Sequence, residues 1–364
     1  MIGYYAHGQG SGHCNYAQLL ADFLQEKLVV FTDSLFKFKE DVQVVKLSDE
    51  HIDGTEFNRK LYREPQSLHY APINLRKITS RNSLLLQSVL NFDVKLLIVD
   101  VSVEIAMLAR VSSIPYAYVR LMGERSDFAH TGAYQGAVFL MAYFPKEMEM
   151  EDTPEWVIKK TIYLGFISKY LFKGQSTPKP QVYNNNKKIH ILHLLGFGGT
   201  EAIKYNLDPS KFNLVSVGPG RTHNHEPYVT HMGVVDCTRA FIEHADIIIA
   251  ACGSNTTSEI LNLGKTFIAI EEKRHFDEHG KMAEALYSNR WALPLRFFKS
   301  LPTAIKAFES MAQVPSIPNG KKELIKFIIY LCANMNHIDR LRFAYPDRGV
   351  ANIMTGIKNN SISA

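Results

Sequence analysis

Cysteine is scarce: Cys14, Cys237, Cys252 and Cys332 stand far apart in 364 residues and form no C-x-x-C pair. That spacing excludes a disulfide framework and a zinc knuckle. Long basic blocks are also missing. With 41 Lys and Arg against 36 Asp and Glu the net charge is only +5, so a nucleic-acid partner is excluded, while acidic small molecules and an anionic membrane surface stay compatible. The apolar runs Leu96–Val101, Ile247–Cys252 and Phe327–Ala333 fall short of the ~18 to 20 residues that a bilayer span needs. No basic, then apolar, segment opens the chain, so a cytoplasmic location is expected, with peripheral contact to the inner face of a membrane compatible. Neither half contains D-x-D, so a two-carboxylate magnesium site is not visible, and no metal or cofactor is expected.

What is present is the composition of an ordinary globular protein, 46% hydrophobic and 21% charged. At about 150 residues per domain its length predicts two domains. Short β-rich runs alternate with helical pattern: strands over Ile2–Ala6, Leu28–Thr32, Gln43–Leu47, Leu96–Asp100 and Pro115–Leu121, a helix over Cys14–Lys27, and further elements at Glu104–Val111 and Gly132–Ala142. Residues 145–187 carry four prolines and the polar run Asn184–Lys188, which is linker composition. The alternation then restarts, with strands Lys188–Leu195, Phe212–Gly218, Asp246–Ala251 and Thr266–Ile270 and helices Thr238–Ala245, Thr256–Leu263, Gly280–Asn289 and Pro302–Ala312. This predicts two doubly wound α/β domains, 1–170 and 188–320, joined by a linker at 171–187. Helices in 321–364 are compatible with packing back on the first domain.

Four loops could carry chemistry. Gly8-Gln9-Gly10-Ser11-Gly12-His13 lies between a strand and a helix, where small residues let a diphosphate approach the helix N–H groups. His13 at its mouth is either a general base or a polar helix-start residue. Asp33 follows the next strand, where a nicotinamide enzyme would hold its ribose, which keeps a dehydrogenase in view, although the spacing is G-x-G-x-G. In Gly253–Glu259, Ser254, Asn255, Thr256 and Thr257 form an anion cradle with Glu259 set to accept from ribose hydroxyls, or a hydroxyl caps the helix and Glu259 closes a capping box. Arg274–His279 sits one βα unit later, at the same sheet edge. His275 and His279 lack a third ligand nearby and do not read as a metal pair. Arg120–His130 either lines a cleft or is a solvated loop in which Arg125 pairs Asp127. Gly196-Phe197-Gly198-Gly199-Thr200 opens the second domain with the geometry of the first loop.

Together these segments resemble a GT-B glycosyltransferase of the family 28 group. The resemblance rests on Gly8–His13 with Ala17, Arg120–His130, Gly165-Phe166-Ile167, and above all Ala245–Ala285 with His244, Gly253, Thr256, Ser258-Glu259 and Gly264-Lys265 in family order. It implies two Rossmann-like domains facing across a cleft, the first taking an acceptor and the second a nucleotide sugar. The implied reaction is metal-independent, inverting transfer from a nucleotide-diphosphate sugar, UDP-linked, to a hydroxyl of a glycan or lipid-linked acceptor. It implies catalytic roles for His13 and Asp127, donor contacts from Gly10, Gly12, Gly198, Gly199, Ser254, Asn255, Thr256, Thr257, Glu259, Glu278 and His279, and acceptor contacts from Arg120, Arg125 and His130. The chain departs from the family where glutamine commonly follows the acidic residue: it has His279 after Glu278. Rival readings are a nucleotide-sugar hydrolase or epimerase on the same architecture, and a non-catalytic nucleotide-sugar-binding subunit.

Overall fold

A computed structural model describes residues 1–8, 11–50, 65–172, 174–196, 203–219, 228–310, 316–318 and 320–334. The first sheet contains β1 (Ile2–Tyr5), β2 (Leu28–Thr32), β3 (Gln43–Lys46), β4 (Leu96–Asp100), β5 (Tyr116–Arg120), β6 (Phe139–Ala142) and β7 (Thr161–Tyr163). The second contains β8 (Ile189–Leu194), β9 (Phe212–Val217), β10 (Val229–His231), β11 (Ile247–Ala251), β12 (Phe267–Ile270) and β13 (Ala292–Pro294). Helices α1 (Gly12–Leu24), α2 (Arg76–Asn91), α3 (Val103–Val111), α4 (Phe128–Gly136) and α5 (Glu155–Lys160) accompany the first sheet in sequence. Helices α6 (Arg239–His244), α7 (Ser254–Asn262), α8 (Glu278–Ser288), α9 (Leu301–Glu309) and α10 (Gly320–Asn334) follow.

Every strand pair is parallel. The orders β3-β2-β1-β4-β5-β6-β7 and β10-β9-β8-β11-β12-β13 both reverse direction next to their first strand. Each sheet therefore has a topological switch point, between β1 and β4 and between β8 and β11, where a crevice opens at the carboxyl edge. The central strands are buried along their whole length, which is why they read as continuous apolar runs. Alternate residues pack opposite ways: Ile2, Tyr4, Leu28 and Ile98 meet α1, whereas Tyr5, Val29, Leu97 and Val99 belong to the core over α2 to α4.

Several elements depart from the sequence reading, the short edge strands β10 and β13 among them. Residues 132–142 split into the end of α4 and β6, because Ala137 is extended and the Tyr116 hydroxyl fills the space beside Gly136. The proline-rich stretch contributes α5 and β7 to the first sheet. Helix α2, mostly polar, buries only Arg81, Leu85, Ser88 and Val89 and so shows little apolar stripe.

Helix α10 returns to the first domain, where Leu324, Phe327, Tyr330 and Leu331 join the core around Ile2, Ala17 and Phe139. A further apolar core joins the domains, with Met122, Phe144, Phe166 and Tyr170 packing with Leu192, Val215, Ile260 and Trp291. No helix among the described residues is long and apolar enough to cross a membrane.

Candidate active site

The two switch points face each other. Gly12, the first residue of α1, lies so close to α7 that a Cβ there would stand 2.6 Å from the Asn255 amide nitrogen. The next residue of α1, His13, pairs through Nδ1 with Asp100 Oδ2 at 2.9 Å; the imidazole is 17% exposed and the carboxylate fully buried. Asp100 ends β4, the strand beside β1, so the fold itself brings the two together. The Tyr4 hydroxyl donates to the same oxygen at 2.8 Å and lies 3.0 Å from the Tyr143 hydroxyl. Burial raises both phenols far above their ordinary range, so they remain neutral donors. Burial pulls the His13 pKa down, but the Asp100 charge and hydrogen bond outweigh it, and the net direction is upward. With Nδ1–H held on Asp100, the basic lone pair is on Nε2.

Across the cleft, α7 begins at Gly253, an N-cap with extended backbone and no side-chain cap. Its first N–H groups therefore remain available to an anion. Ser254, Asn255, Thr256 and Thr257 form that turn. Glu259 closes no capping box: Oε2 accepts from the Thr238 hydroxyl at 3.2 Å, and Oε1 pairs with Lys169 at 3.2 Å. His279 Nδ1 accepts the Glu272 N–H at 3.3 Å, leaving Nε2–H directed at Gly253, where a Cβ would be 3.8 Å away. Burial lowers the His279 pKa to about 4, so the ring is neutral. Glu278 is raised by burial and pairs with Arg125 at 3.3 Å, and both lie close enough to act on the charge of His13.

Several expected residues have other roles. Asp127 is not the carboxylate on His13. It caps α4 through the His130 N–H at 3.0 Å and accepts from His130 Nδ1 at 2.5 Å and His69 Nε2 at 3.0 Å. These bonds overcome burial and hold its carboxyl far below the ordinary range. Arg120, expected on the acceptor side, is buried in a two-pronged pair with Glu149 at 2.8 and 2.9 Å and also donates to Thr161. Arg125 pairs not with Asp127 but with Glu278, and its Nη1 lies 3.0 Å from His130 Nε2. His130 is buried, and burial lowers its pKa to about 4. Gly10, Gly198 and Gly199 lie outside the described residues.

His69, Asp127 and His130 place three metal-capable atoms within 4.8 Å of one another, a cluster that local spacing hides because His69 is 58 residues from Asp127. Arg125 at His130 Nε2 directs the ring proton to Asp127, so the three groups satisfy one another. Phe276 of the second domain packs on this cluster, with its ring centre 4.8 Å from that of His130 and 4.8 Å from the Arg125 guanidinium. Phe276 and Asp277 are both left-handed, and the Phe276 carbonyl accepts the Glu124 N–H at 2.7 Å. Gly123, at φ +118°, has no Cβ to meet that carbonyl. Sequence reasoning also missed Asp100, although a lone carboxylate ending an apolar strand next to the first strand is a usable signal.

No family model and no curated protein matches the chain at sequence level. Solved structures do. MurG from Acinetobacter baumannii superposes with a TM-score of 0.57 at 14% identity, covering 90% of this chain and 99% of that one. The Streptomyces glycosyltransferase SsfS6 gives 0.55 at 13% identity over 92% of this chain and 95% of that one. The spinosyn rhamnosyltransferase SpnG, complexed with thymidine diphosphate, gives 0.54 at 11% identity over 98% and 99%. With two parallel Rossmann-like domains meeting at facing switch points, the chain has the GT-B fold of these glycosyltransferases.

Proposed function

We propose that the protein is a glycosyltransferase that moves a sugar from a nucleotide-diphosphate donor, UDP-linked, to an acceptor hydroxyl, without a metal and with inversion. The observation that carries this reading is the His13–Asp100 pair in α1 set against the uncapped start of α7. His13 Nε2 takes the proton of the acceptor hydroxyl as its oxygen bonds to the anomeric carbon and the bond to the diphosphate breaks. Asp100 orients the ring and stabilises the imidazolium that forms. The negative charge growing on the diphosphate meets the N–H groups and hydroxyls of α7. Glu259 would exchange Thr238 and Lys169 for ribose hydroxyls, and His279 Nε2–H would donate to the donor.

A single displacement at the anomeric carbon inverts it, and the closed apolar floor between the domains limits water. The +5 charge suits a phosphate-bearing donor and a glycan or lipid-linked acceptor met at an anionic membrane surface. The test is nucleotide release from UDP-sugars with and without acceptors, in the wild type and in His13→Ala. Acceptor-dependent release lost in the variant supports transfer. Sugar freed equally well without acceptor points to a hydrolase, and donor binding with no turnover to a binding subunit.

A further inference from the structure

His69, Asp127 and His130 take no part in the transfer chemistry above, yet three parts of the first domain bring them together. Asp127 is the N-cap of α4 and His130 stands three residues on, so capping alone sets carboxylate beside imidazole. His69 arrives from the loop ahead of α2, where Glu104 Oε1 accepts the N–H groups of His69 and Tyr70 at 2.8 and 2.9 Å and fixes the approach. One nitrogen of each ring then meets one carboxylate: His69 Nε2 lies 3.0 Å from Asp127 Oδ1, and His130 Nδ1 lies 2.5 Å from Oδ2. These ligand atoms all fall within 4.8 Å of one another. A tetrahedral ion with bonds of about 2.0 to 2.1 Å holds its ligands about 3.3 Å apart. Tilting the two rings, whose centres are 4.6 Å apart, is enough to admit one.

The donor set specifies the ion. Two imidazoles, one carboxylate and no thiolate suit a borderline divalent ion of the zinc class, whereas magnesium and calcium take oxygen ligands. Asp127 is ionised and the buried His130 neutral, the states in which each ligates. The His69 and Asp127 side chains are 34% and 38% exposed, which gives an ion a way in and leaves a coordination position for water. Phe276 and Tyr134 pack on the His130 ring, with centres 4.8 and 6.0 Å from its own, and lower the polarity around the ligands. Arg125 is the competitor. Its Nη1, 3.0 Å from His130 Nε2, keeps the ring proton on Nδ1. An ion on Nδ1 requires that proton on Nε2 and turns Arg125 to Glu278, already 3.3 Å away. Asp127 Oδ1 keeps the His130 N–H, so the α4 cap survives the exchange.

We propose that His69, Asp127 and His130 form a site for a divalent transition-metal ion, which cross-links the loop ahead of α2 to α4 and does not enter the sugar-transfer step. Without the ion, the hydrogen bonds among the three groups hold the same segments together, so transfer survives chelation. The experiment strips the whole chain with a chelator, then adds Co²⁺ followed by visible absorption and Zn²⁺ followed by calorimetry. Four- or five-coordinate Co²⁺ bound through nitrogen absorbs strongly in the visible, and the hexaaqua ion scarcely does. The wild type should develop that band, Zn²⁺ should displace it and Mg²⁺ should not. His69→Ala, which leaves the α4 cap in place, should remove the band and weaken Zn²⁺ binding by roughly a hundredfold or more, beyond the loss that follows removal of a group bonded to a ligand. Arg125→Ala should tighten Zn²⁺ binding by roughly tenfold, because a neighbouring cation is gone. Zn²⁺ should raise Tm in the wild type and not in His69→Ala. A wild type that gives no band and binds no Zn²⁺ overturns the site without recourse to any variant. A band and an affinity unchanged in His69→Ala overturn it too, since the ion then sits on other donors. Nucleotide release from UDP-sugars tests the transfer reading separately, and neither result decides the other.

Discussion

The two switch points share one topology and hold opposite chemistry. Between β1 and β4 the chain buries titratable groups, with His13, Asp100, Tyr4 and Tyr143 in one hydrogen-bonded chain. At the end of β11, next to β8, it presents an uncapped helix turn of Gly253, Ser254, Asn255 and Thr256 whose donors are neutral N–H and O–H groups. The first arrangement has the groups to take up a proton and the second the donors to meet an anion. Strand order places both sites, and the first helical turn after the strand decides what each can do.

The strongest way to break this contrast is to remove the base. His13→Ala should lower kcat by about 10² to 10⁴ while donor affinity, measured by titration calorimetry, changes little. Equal losses in rate and affinity would make His13 a binding residue and erase the division of labour.

Asp100→Asn sharpens the same side. It should reduce kcat by about 10² and shift the pH profile, because His13 is active only when neutral and its pKa is raised by Asp100 against burial. In the wild type, activity should fall as pH drops through a value above 6.5. In the variant that acid limb should move to lower pH, and an unmoved limb assigns it to another group.

On the anion side, Glu259→Ala should weaken nucleotide-sugar binding by roughly ten- to hundredfold, about 1.5 to 3 kcal/mol, with the fold intact since the residue caps nothing. Unchanged affinity for every donor that binds the wild type would leave Glu259 with Thr238 and Lys169 alone. The smallest effect is expected from a chelator: exhaustive treatment should leave transfer unchanged. Activity that vanishes and returns with a divalent ion would direct attention to His69, Asp127 and His130.

Legibility in the sequence follows the range of the interactions. Strands Leu28–Thr32 and Leu96–Asp100 were readable to the residue because both faces are buried and the apolar run states its own limits. The α7 turn was readable for a similar reason, since its glycine and hydroxyls are contiguous. Asp100 was not, because its value comes from a strand 96 residues away in the chain, where Tyr4 lies. Arg120 looked like a cleft residue only because Glu149, which occupies it, comes 29 residues later. The pairing of Asp127 with His69 is hidden in the same way. β7 escaped because its proline-rich surroundings resemble a linker while its own three residues are too few to show a pattern.

The return of α10 to the first domain has a consequence for biosynthesis. Leu324, Phe327, Tyr330 and Leu331 complete the core on the face of the first sheet that α1 covers only in part. A ribosome adding about 5 to 20 residues per second needs on the order of ten seconds or more to get from β7 to α10. Throughout that interval the first domain is synthesised but unfinished, with apolar surface around Phe139 awaiting Phe327. The first domain is thus completed only after the whole second domain has been synthesised. A fragment stopping before residue 320 would carry the whole of His13's hydrogen-bonded chain on a sheet with one face uncovered, exposed to aggregation and to chaperone capture.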